Sequence, residues 1–457
     1  MKYYIKITLF SLITFQLQSQ NLTSTKELPT EVVETIEKRI SYSVIPSIAI
    51  ALIDSTGTYY FNFGKTEDVG KKVNENTIYE IGSISKVFTG ILLAQQILDS
   101  DLTLEDEINN LLHDGIVVPV IGDNQITLGT LTDHTSGLPG MPDNFAPANP
   151  NNPYADYTVK QMYEFISNYQ PSREVGSEYE YSNLAQGLLG HLLSKNKNIS
   201  YEKLMIETIA DPLGMTDTRI EFSERMKNNL AHGHSGGQVV ENWDIPTLAG
   251  AGAIRSSTLD MAKFISANLG YVNSPITDAM YLSHKIRHDK AGRNGEMSVA
   301  MGWHIRKGEG IDVYWHNGGT GGYRSFAGFV KETGKGVVIL TNSSQNSDDI
   351  GFKLLDGSSQ LRSKFKSDAI ELAESTLSKY VGVYELSPDF KISVTKKGKQ
   401  LFAQATGQDR FEIYPETDSL FFITVIDAKI SFQLKEGIVE SFMFLQGGQK
   451  IPGKKIE

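Results

Sequence analysis

A strongly apolar helix is predicted between Ile84 and Leu98, and it constrains the fold more than any other segment. A β-like run, Thr77 to Tyr79, comes just before it, and its first turns carry apolar side chains such as Val87 and Phe88. Because polar positions are few around such a helix, other elements must cover it on most sides. The helix is therefore expected in the interior of the molecule.

Ser83 and Lys86 stand at the start of this helix, three residues apart and so on one helix face. A serine is a poor nucleophile until a base takes its proton. A lysine is such a base only when its pKa is depressed, which burial and a nearby cation would both do. The helix N-terminus also offers backbone N–H groups that have no acceptor within the helix. The pair predicts a serine nucleophile with a lysine base; the plainer interpretation is a solvated lysine after an N-capping serine.

Other serine patterns compete with this one. The same spacing recurs in polar stretches, at Ser194 and Lys197 and at Ser363 and Lys366. The run from Gly233 to Gly237 fits the Gly-x-Ser-x-Gly pattern of a nucleophile elbow, which would make Ser235 the nucleophile. That elbow needs a buried strand before it and a helix after it, and neither is indicated. We expect a glycine-rich hairpin there.

Length and composition limit the classes of function. A chain of 457 residues is longer than one ordinary domain, so two domains are expected. The net charge of −11 argues against nucleic acid or an anionic membrane as the main partner. The chain has no cysteine, which excludes disulfides, thiolate catalysis and cysteine metal sites. The nine histidines have no metal-ligand spacing, so neither a catalytic metal nor another cofactor is predicted.

Residues 1–20 are typical of a secretory signal peptide. Lys2 and Lys6 form its basic start, and Ile7 to Phe15 form an apolar part that is too short to span a bilayer. The alternative is a buried N-terminal strand. No later stretch is apolar for long enough to cross a membrane, so we expect a periplasmic or secreted protein that does not span the membrane.

The rest of the chain divides by its periodicity into residues 21–365 and 366–457. Helices are predicted at Glu27 to Tyr42, Asp101 to Leu112, Val159 to Tyr169, Leu184 to Leu193, Thr258 to Leu269 and Asp349 to Leu355. Strands are predicted at Ser47 to Ile53, Thr58 to Phe63, Ser325 to Val330 and Gly336 to Thr341. Residues 141–157 are expected to form a long surface loop. From Tyr380 the apolar residues alternate with period two, which predicts an antiparallel sheet or small barrel.

Two further motifs carry polar groups suited to chemistry. Tyr181-Ser182-Asn183 lies where a loop enters an apolar helix, so a phenol and an amide could reach a substrate there, although capping by Ser182 or Asn183 explains the residues equally well. His316-Asn317-Gly318-Gly319 lies in a β-like run whose glycines would let a ligand lie against the strand. His134 is interpreted as a histidine that ends a helix and hydrogen-bonds a loop.

These motifs, in this order, resemble the penicillin-recognising serine hydrolases: class C β-lactamases, D-Ala-D-Ala carboxypeptidases, D-aminopeptidases and related esterases. Tyr79 to Lys86 is close to the class C active-site signature, with Tyr79 where phenylalanine is usual. The resemblance implies an α/β (α+β) fold: an antiparallel sheet flanked by helices, an inserted all-helical subdomain, and the site between them. The segment from 366 to 457 resembles the lipocalin-like β-barrel domains that follow such hydrolases.

The resemblance also implies roles for individual residues. Ser83 would attack a carbonyl, and Lys86 and Tyr181 would move protons to and from Ser83 and the leaving amine. Asn183 would hold the substrate amide, and the backbone N–H groups of Ser83 and Gly319 would form the oxyanion hole. His316 and Gly318 stand where class C enzymes carry the lysine and glycine of Lys-Thr-Gly. A histidine would bind a substrate carboxylate less reliably than a lysine does.

The expected function is hydrolysis of an amide, in a β-lactam or a D-amino-acid peptide, through an acyl-enzyme on Ser83. Two alternatives stay open. One is an esterase with the same residues, and the other is a non-catalytic penicillin-binding or receptor-like module. The expected partner in each case is a small molecule or peptide: a β-lactam, a D-amino-acid peptide or an ester.

Overall fold

The computed structural model describes residues 26–66, 71–112, 115–292, 295–308, 310–362, 364–388, 390–408, 410–424, 428–446 and 449–457. The predicted signal peptide, residues 1–20, lies outside the described residues, as does Ser363 of one competing serine–lysine match. Along the described ranges, no helix combines the length and the apolar character needed to cross a membrane.

The first part of the chain builds a mixed α/β unit around an antiparallel sheet. Its strands are β1 (Ser47–Asp54), β2 (Gly57–Gly64), β3 (Ile78–Glu80), β4 (His234–Ser235), β5 (Gln238–Val239), β6 (Arg255–Ser257), β7 (His288–Ala291), β8 (Met297–Val299), β9 (His304–Lys307), β10 (Asp312–Gly319), β11 (Arg324–Val330) and β12 (Lys335–Thr341). Eight of them form one sheet in the order β2-β1-β12-β11-β10-β9-β8-β7, while β3 pairs with β6 and β4 with β5. Strand β1 pairs antiparallel with β12, and this pairing places Ile50 opposite Ile339 in the core.

Helices cover both faces of this sheet, and others pack elsewhere, one of them on the barrel core. They are α1 (Thr30–Ser41), α2 (Ser85–Leu98), α3 (Leu128–Thr132), α4 (Val159–Asn168), α5 (Asn183–Lys197), α6 (Tyr201–Met205), α7 (Glu224–Asn228), α8 (Ala249–Gly252), α9 (Thr258–Asn268), α10 (Thr277–Ser283), α11 (Asp348–Leu355) and α12 (Glu374–Ser378). One face packs on α9 and α2 and the other on α1 and α11. The predicted buried helix is confirmed: α2 is apolar and almost wholly buried, and α5, α8 and α10 pack around it.

The prediction of a helix from Asp101 to Leu112 was wrong. Only the turn Ile108–Asn110 is helical, and it is a single 3₁₀ turn. The backbone there bonds to other groups instead of to itself: Thr103 N–H donates to the Asp106 carboxylate, and Ile108 N–H donates to the carbonyl oxygen of Ile126. Leu102, Ile108 and Leu112 are still buried, so apolar spacing alone did not distinguish a helix from packed turns.

The second part of the chain closes into an antiparallel barrel of eight strands. These are β13 (Gly382–Ser387), β14 (Phe390–Lys397), β15 (Gln400–Ala405), β16 (Phe411–Pro415), β17 (Leu420–Ile423), β18 (Ala428–Lys435), β19 (Ile438–Gln446) and β20 (Gln449–Lys455). Pairing of β13 with β20 closes the barrel. Buried aromatic side chains, among them Tyr384, Phe421 and Phe432, fill the interior.

Candidate active site

Gly82 brings the turn that carries Ser83 against the end of β10. It has a φ of +52°, and a Cβ on it would lie 2.6 Å from the backbone nitrogen of Gly319. Both the left-handed backbone and the close approach require glycine here. The residue before Ser83 is therefore what allows the Ser83 turn and the Gly319 N–H to face the same space.

The Nζ of Lys86 has three neighbours within hydrogen-bonding distance. It lies 2.9 Å from Ser83 Oγ, 2.8 Å from Asn183 Oδ1 and 2.7 Å from the carbonyl oxygen of Ala251. Two of these, the amide and the backbone carbonyl, can only accept hydrogen bonds. A neutral amine has two N–H groups and one lone pair, so it satisfies both acceptors and turns its lone pair to the Ser83 hydroxyl.

Burial decides the protonation state of Lys86. The side chain is fully buried, and this desolvation lowers its pKa well below the ordinary value. One contact opposes the shift, since Nζ lies 4.8 Å from the centre of the Tyr181 ring, a position that favours an ammonium. Desolvation is the largest cause of the shift, and the pKa stays well below the ordinary value. Burial therefore favours the neutral amine of Lys86, which lies beside Ser83 Oγ.

Tyr181 lies beside Ser83 as a neutral phenol. Burial raises its pKa far above the ordinary value, and the hydrogen bond with the Ser83 side chain opposes that shift only partly. The His134 ring stacks on it at 4.8 Å between centroids. Tyr181 thus carries a proton that it can donate, and it is held in place on one side by an imidazole.

The start of α5 carries one residue that caps the helix and one that contacts Lys86. Ser182 caps the helix, since its Oγ accepts from Ala185 N–H at 2.9 Å. Asn183 instead directs its side chain at Lys86. The interpretation of His134 as a loop-binding histidine is confirmed, because its Nδ1 accepts from Ser182 N–H at 3.1 Å. That its ring would also stack on Tyr181 was not predicted.

His316 lies in the same cluster but as a buried, neutral imidazole. Its Nδ1–H donates to the carbonyl oxygen of Asn317 at 2.5 Å, while Nε2 has no hydrogen-bond partner among the described residues. Burial lowers its pKa well below the ordinary value, and His304 and Lys86 act in the same direction. His304 stacks on it at 4.4 Å between centroids and is itself buried, with a pKa lowered to about 4. His316 therefore brings no positive charge to the site.

The two glycines of β10 fit the strand against the Ser83 turn. A Cβ at Gly318 would overlap the carbonyl oxygen of Ile81. Thr320 N–H points toward β11, where it donates to Tyr323. Because N–H groups alternate along a strand, the N–H of Gly319 points the other way, to the free edge of β10 and toward Ser83.

The competing serines lie elsewhere. Ser194 Oγ donates to the Gly190 carbonyl oxygen at 2.7 Å, and Lys197 pairs with Asp101 at the surface. Ser235 lies exposed in the β4–β5 hairpin, which confirms the predicted hairpin at the Gly-x-Ser-x-Gly pattern. Among the residues that the structure describes, neither serine has a buried amine beside it.

The model of the family described as Beta-lactamase matches residues 32–355. The chain belongs to the β-lactamase family. Residues 366–455 match a second model, described as a domain of unknown function (DUF3471). Membership supports, at the level of the family, a serine hydrolase that acts on amides.

Known relatives span most of the chain. A β-lactamase of Pseudomonas fluorescens is 27% identical over 346 residues, which are 67% of this chain and 91% of that protein. Penicillin-binding protein 4* of Bacillus subtilis (strain 168) is 24% identical over 426 residues, 86% of this chain and 91% of that protein. Among solved structures, the octameric penicillin-binding protein homologue from Pyrococcus abyssi has a TM-score of 0.65 at 21% identity, over 93% of this chain and 99% of that one. That likeness shows the fold, including the part that forms the barrel.

In this member of the β-lactamase family, sequence reasoning missed two groups around Lys86. One is the carbonyl of Ala251, a backbone atom with no signature of its own. The other is His304, whose ring faces His316. Among the described residues, no cluster of three or more acidic or histidine side chains could hold a metal ion.

Proposed function

We propose that this β-lactamase-family protein is a serine hydrolase that forms an acyl-enzyme on Ser83 and cleaves the amide bond of a β-lactam or a D-amino-acid peptide. The observation that carries the proposal is the 2.9 Å contact between Ser83 Oγ and the Nζ of Lys86, which is buried and whose pKa is lowered by that burial. A lone pair aimed at a serine hydroxyl is the arrangement that general-base activation requires.

In the acylation step, Ser83 Oγ attacks the carbonyl carbon while its proton passes to Lys86 Nζ. The carbonyl oxygen becomes an oxyanion, which the N–H groups of Ser83 and Gly319 stabilise. Each such donor is worth about 3–4 kcal/mol when it is removed from comparable sites. Asn183 binds the substrate amide through the half of its side chain that does not face Lys86.

Collapse of the intermediate breaks the C–N bond, and the leaving nitrogen needs a proton. Tyr181 supplies it, because burial keeps the phenol protonated, and Lys86 returns the proton taken from Ser83 to Tyr181. A water molecule then attacks the acyl-enzyme by the same route in reverse. Gly318 contributes by its lack of a side chain, which keeps β10 close to the turn, and His316 contributes the wall beside Tyr181.

One observation favours an esterase as the second candidate. His316 is neutral where class C enzymes carry a lysine, so the position gives no charge to hold the carboxylate of a β-lactam. An ester without a carboxylate would lose nothing by this change. Its better leaving group would also need less help from Tyr181.

We further propose that residues 1–20 form a signal peptide, that 21–365 and 366–457 are the hydrolase and barrel domains, and that the protein acts in the periplasm or outside the cell. The basic and apolar composition of the N-terminus supports this location. Fractionation of tagged full-length protein, with N-terminal sequencing of the mature form, would test it.

The proposed function is tested by assaying one preparation on a chromogenic cephalosporin, a D-Ala-D-Ala peptide and a short p-nitrophenyl ester. Turnover that disappears in Ser83→Ala and persists in Ser235→Ala is expected. Amide turnover supports the first candidate, and ester turnover alone supports the second. Undiminished turnover in Ser83→Ala would overturn both.

A further inference from the structure

The guanidinium of Arg324 lies directly against Gly319. The two residues pair across the β10–β11 hairpin, and a Cβ at Gly319 would overlap Nη1 and lie 2.8 Å from Cζ of Arg324. The φ of Gly319 lies outside the left-handed region, so the guanidinium, and not the backbone conformation, excludes a side chain there. The glycine thus leaves room for a cation beside the N–H group that faces Ser83.

Arg324 has hydrogen-bonding capacity to spare. Its Nη1 donates to the carbonyl oxygens of Thr320 and Tyr323, both at 3.3 Å, which is long for such bonds. A guanidinium has five N–H groups and stays charged even where burial lowers its pKa, as it does here. No ion pair joins Arg324 to a carboxylate within the described ranges, and Asp348, the acid that acts on it from further away, is bonded to Asn317.

The other basic groups of the site are unsuited to binding an anion. Lys86 is fully buried and occupied by three partners, and burial lowers the pKa of both His316 and His304 below the ordinary value. Arg324 is only partly buried. The permanent positive charge beside Gly319 is therefore that of Arg324.

The free edge of β10 gives a substrate access to this charge. Strand β9 pairs with β10 only as far as Trp315, so no strand of the described part of the chain pairs with residues 316–319 on that side. A carbonyl oxygen bound to the Gly319 N–H would lie at this edge, next to the guanidinium that covers Gly319.

We propose that Arg324 is the specificity-determining residue of the site and binds a carboxylate that the substrate carries a few bonds from its scissile carbonyl. This rests on the proposed function, since it needs the carbonyl placed between Ser83 and Gly319. The substrate class is then an anionic amide or ester, and the charge missing at His316 is supplied from the neighbouring strand.

The test uses two esters that differ only in the carboxylate: phenylacetylglycyl esters of 3-hydroxybenzoic acid and of 3-hydroxybenzamide. In Arg324→Gln, kcat/KM for the benzoate should fall about 10- to 100-fold, as expected for losing a hydrogen bond with a charged partner. The loss should appear mainly in KM, and kcat/KM for the benzamide should stay within about twofold. Arg324→Lys should recover part of the loss, because it restores charge without the planar fork.

Arg410→Gln, in the barrel, controls for the general loss of a positive charge in an acidic chain, and it should leave both substrates unaffected. An equal loss on both esters in Arg324→Gln would overturn the proposal, since it would indicate a structural role in the hairpin. An unchanged benzoate rate would overturn it as well. Failure of the proposed function gives a different result, namely turnover of both esters that persists in Ser83→Ala. That result would overturn this proposal as well.

Discussion

Lys86 Nζ lies 2.7 Å from the carbonyl oxygen of Ala251, so the backbone of α8 helps to orient the base of the candidate site. Helix α8 spans only Ala249–Gly252 and packs on α2 and α5 through its small residues. Once Ala251 and Asn183 have taken the two N–H groups of the amine, the lone pair has one direction left, toward Ser83. The position of one carbonyl therefore influences the reactivity of the serine.

Gly250→Ala should disturb this arrangement. A Cβ there would lie 2.9 Å from the Gln186 carbonyl oxygen and 3.0 Å from Thr89 Oγ1, so α8 must move away from α5 and α2. We expect a loss of about 1–3 kcal/mol in the free energy of unfolding, from overpacking, together with a lower kcat. Urea unfolding and steady-state kinetics measure the two effects. Gly252→Ala is the matched control, since its Cβ would lie no closer than 3.4 Å to Ile245 Cδ1 and 3.9 Å to the backbone carbon of Gly82; equal effects of both substitutions would contradict the account.

Lys86→Met should lower kcat/KM by about 10²- to 10⁴-fold, the usual worth of a general base. In the wild type, activity should fall as the pH drops through the lowered pKa of Lys86, because the protonated amine cannot accept the Ser83 proton. A pH–rate profile measures this limb. Lys197→Met, at the Ser194–Lys197 match, should leave the profile unchanged. A full rate in Lys86→Met would show that another group is the base.

Linkage gives Lys86 a second signature, in stability. Its pKa is lower in the folded than in the unfolded state, so the unfolded chain binds more protons between the two values. The free energy of unfolding of the wild type, relative to Lys86→Met, should therefore rise as the pH is raised from 7 toward 10. Denaturant unfolding of both proteins across that range measures the difference, and a flat difference would mean that Lys86 is charged in the folded protein.

His304→Phe should make the protein less sensitive to acid. The pKa of His304 is about 4 in the folded protein against an ordinary value of 6.5, so its contribution to stability is lost as the pH falls through that interval. At pH 5 the loss from this one group is on the order of 2 kcal/mol. Comparing unfolding at pH 7.5 and pH 5 should show a smaller drop in the variant. An identical drop would mean that His304 is not the group being protonated.

Removing one partner of the buried pair Glu80 and Arg255 should lower the free energy of unfolding more than removing both. Both side chains are 3% exposed, and Glu80 also accepts from Trp243 N–H at 2.9 Å. Arg255→Met leaves a buried carboxylate without its cation, so a loss of about 3–5 kcal/mol in the free energy of unfolding is expected. Glu80→Gln combined with Arg255→Met should lose less. A double variant that is worse than the single one would exclude this explanation.

The site residues that could be predicted from the sequence are those whose surroundings depend on neighbouring residues in the chain. Ser83 and Lys86 share a face of a helix that was plainly buried, and Ser182-Asn183 begins another. The contacts that tune Lys86 could not be predicted, because Ala251 acts through its backbone and the His304 ring reaches His316 only when β9 pairs with β10. The same limit explains the wrong helix at Asp101 to Leu112, where backbone groups bond across the chain.

The neutral state of His316 also could not be predicted from the sequence. A histidine titrates near neutrality, so its charge depends on what covers it, and here the cover is Tyr181 and His304, from two other segments. The barrel was predicted as a class of structure. The closure of the barrel by β13 and β20 was not predicted, because β20 carries Pro452 and Gly453 and lacks a regular alternation of apolar and polar residues.

Covalent labelling tests most directly the central claim that Ser83 is an activated nucleophile. The protein is incubated with a fluorophosphonate, and the adduct is located by intact mass and peptide mapping. We expect one adduct per chain on the peptide that contains Ser83, none at that peptide in Ser83→Ala, and slower labelling in Lys86→Met. Absence of an adduct in the wild type, or an adduct that persists on another serine in Ser83→Ala, would contradict the account.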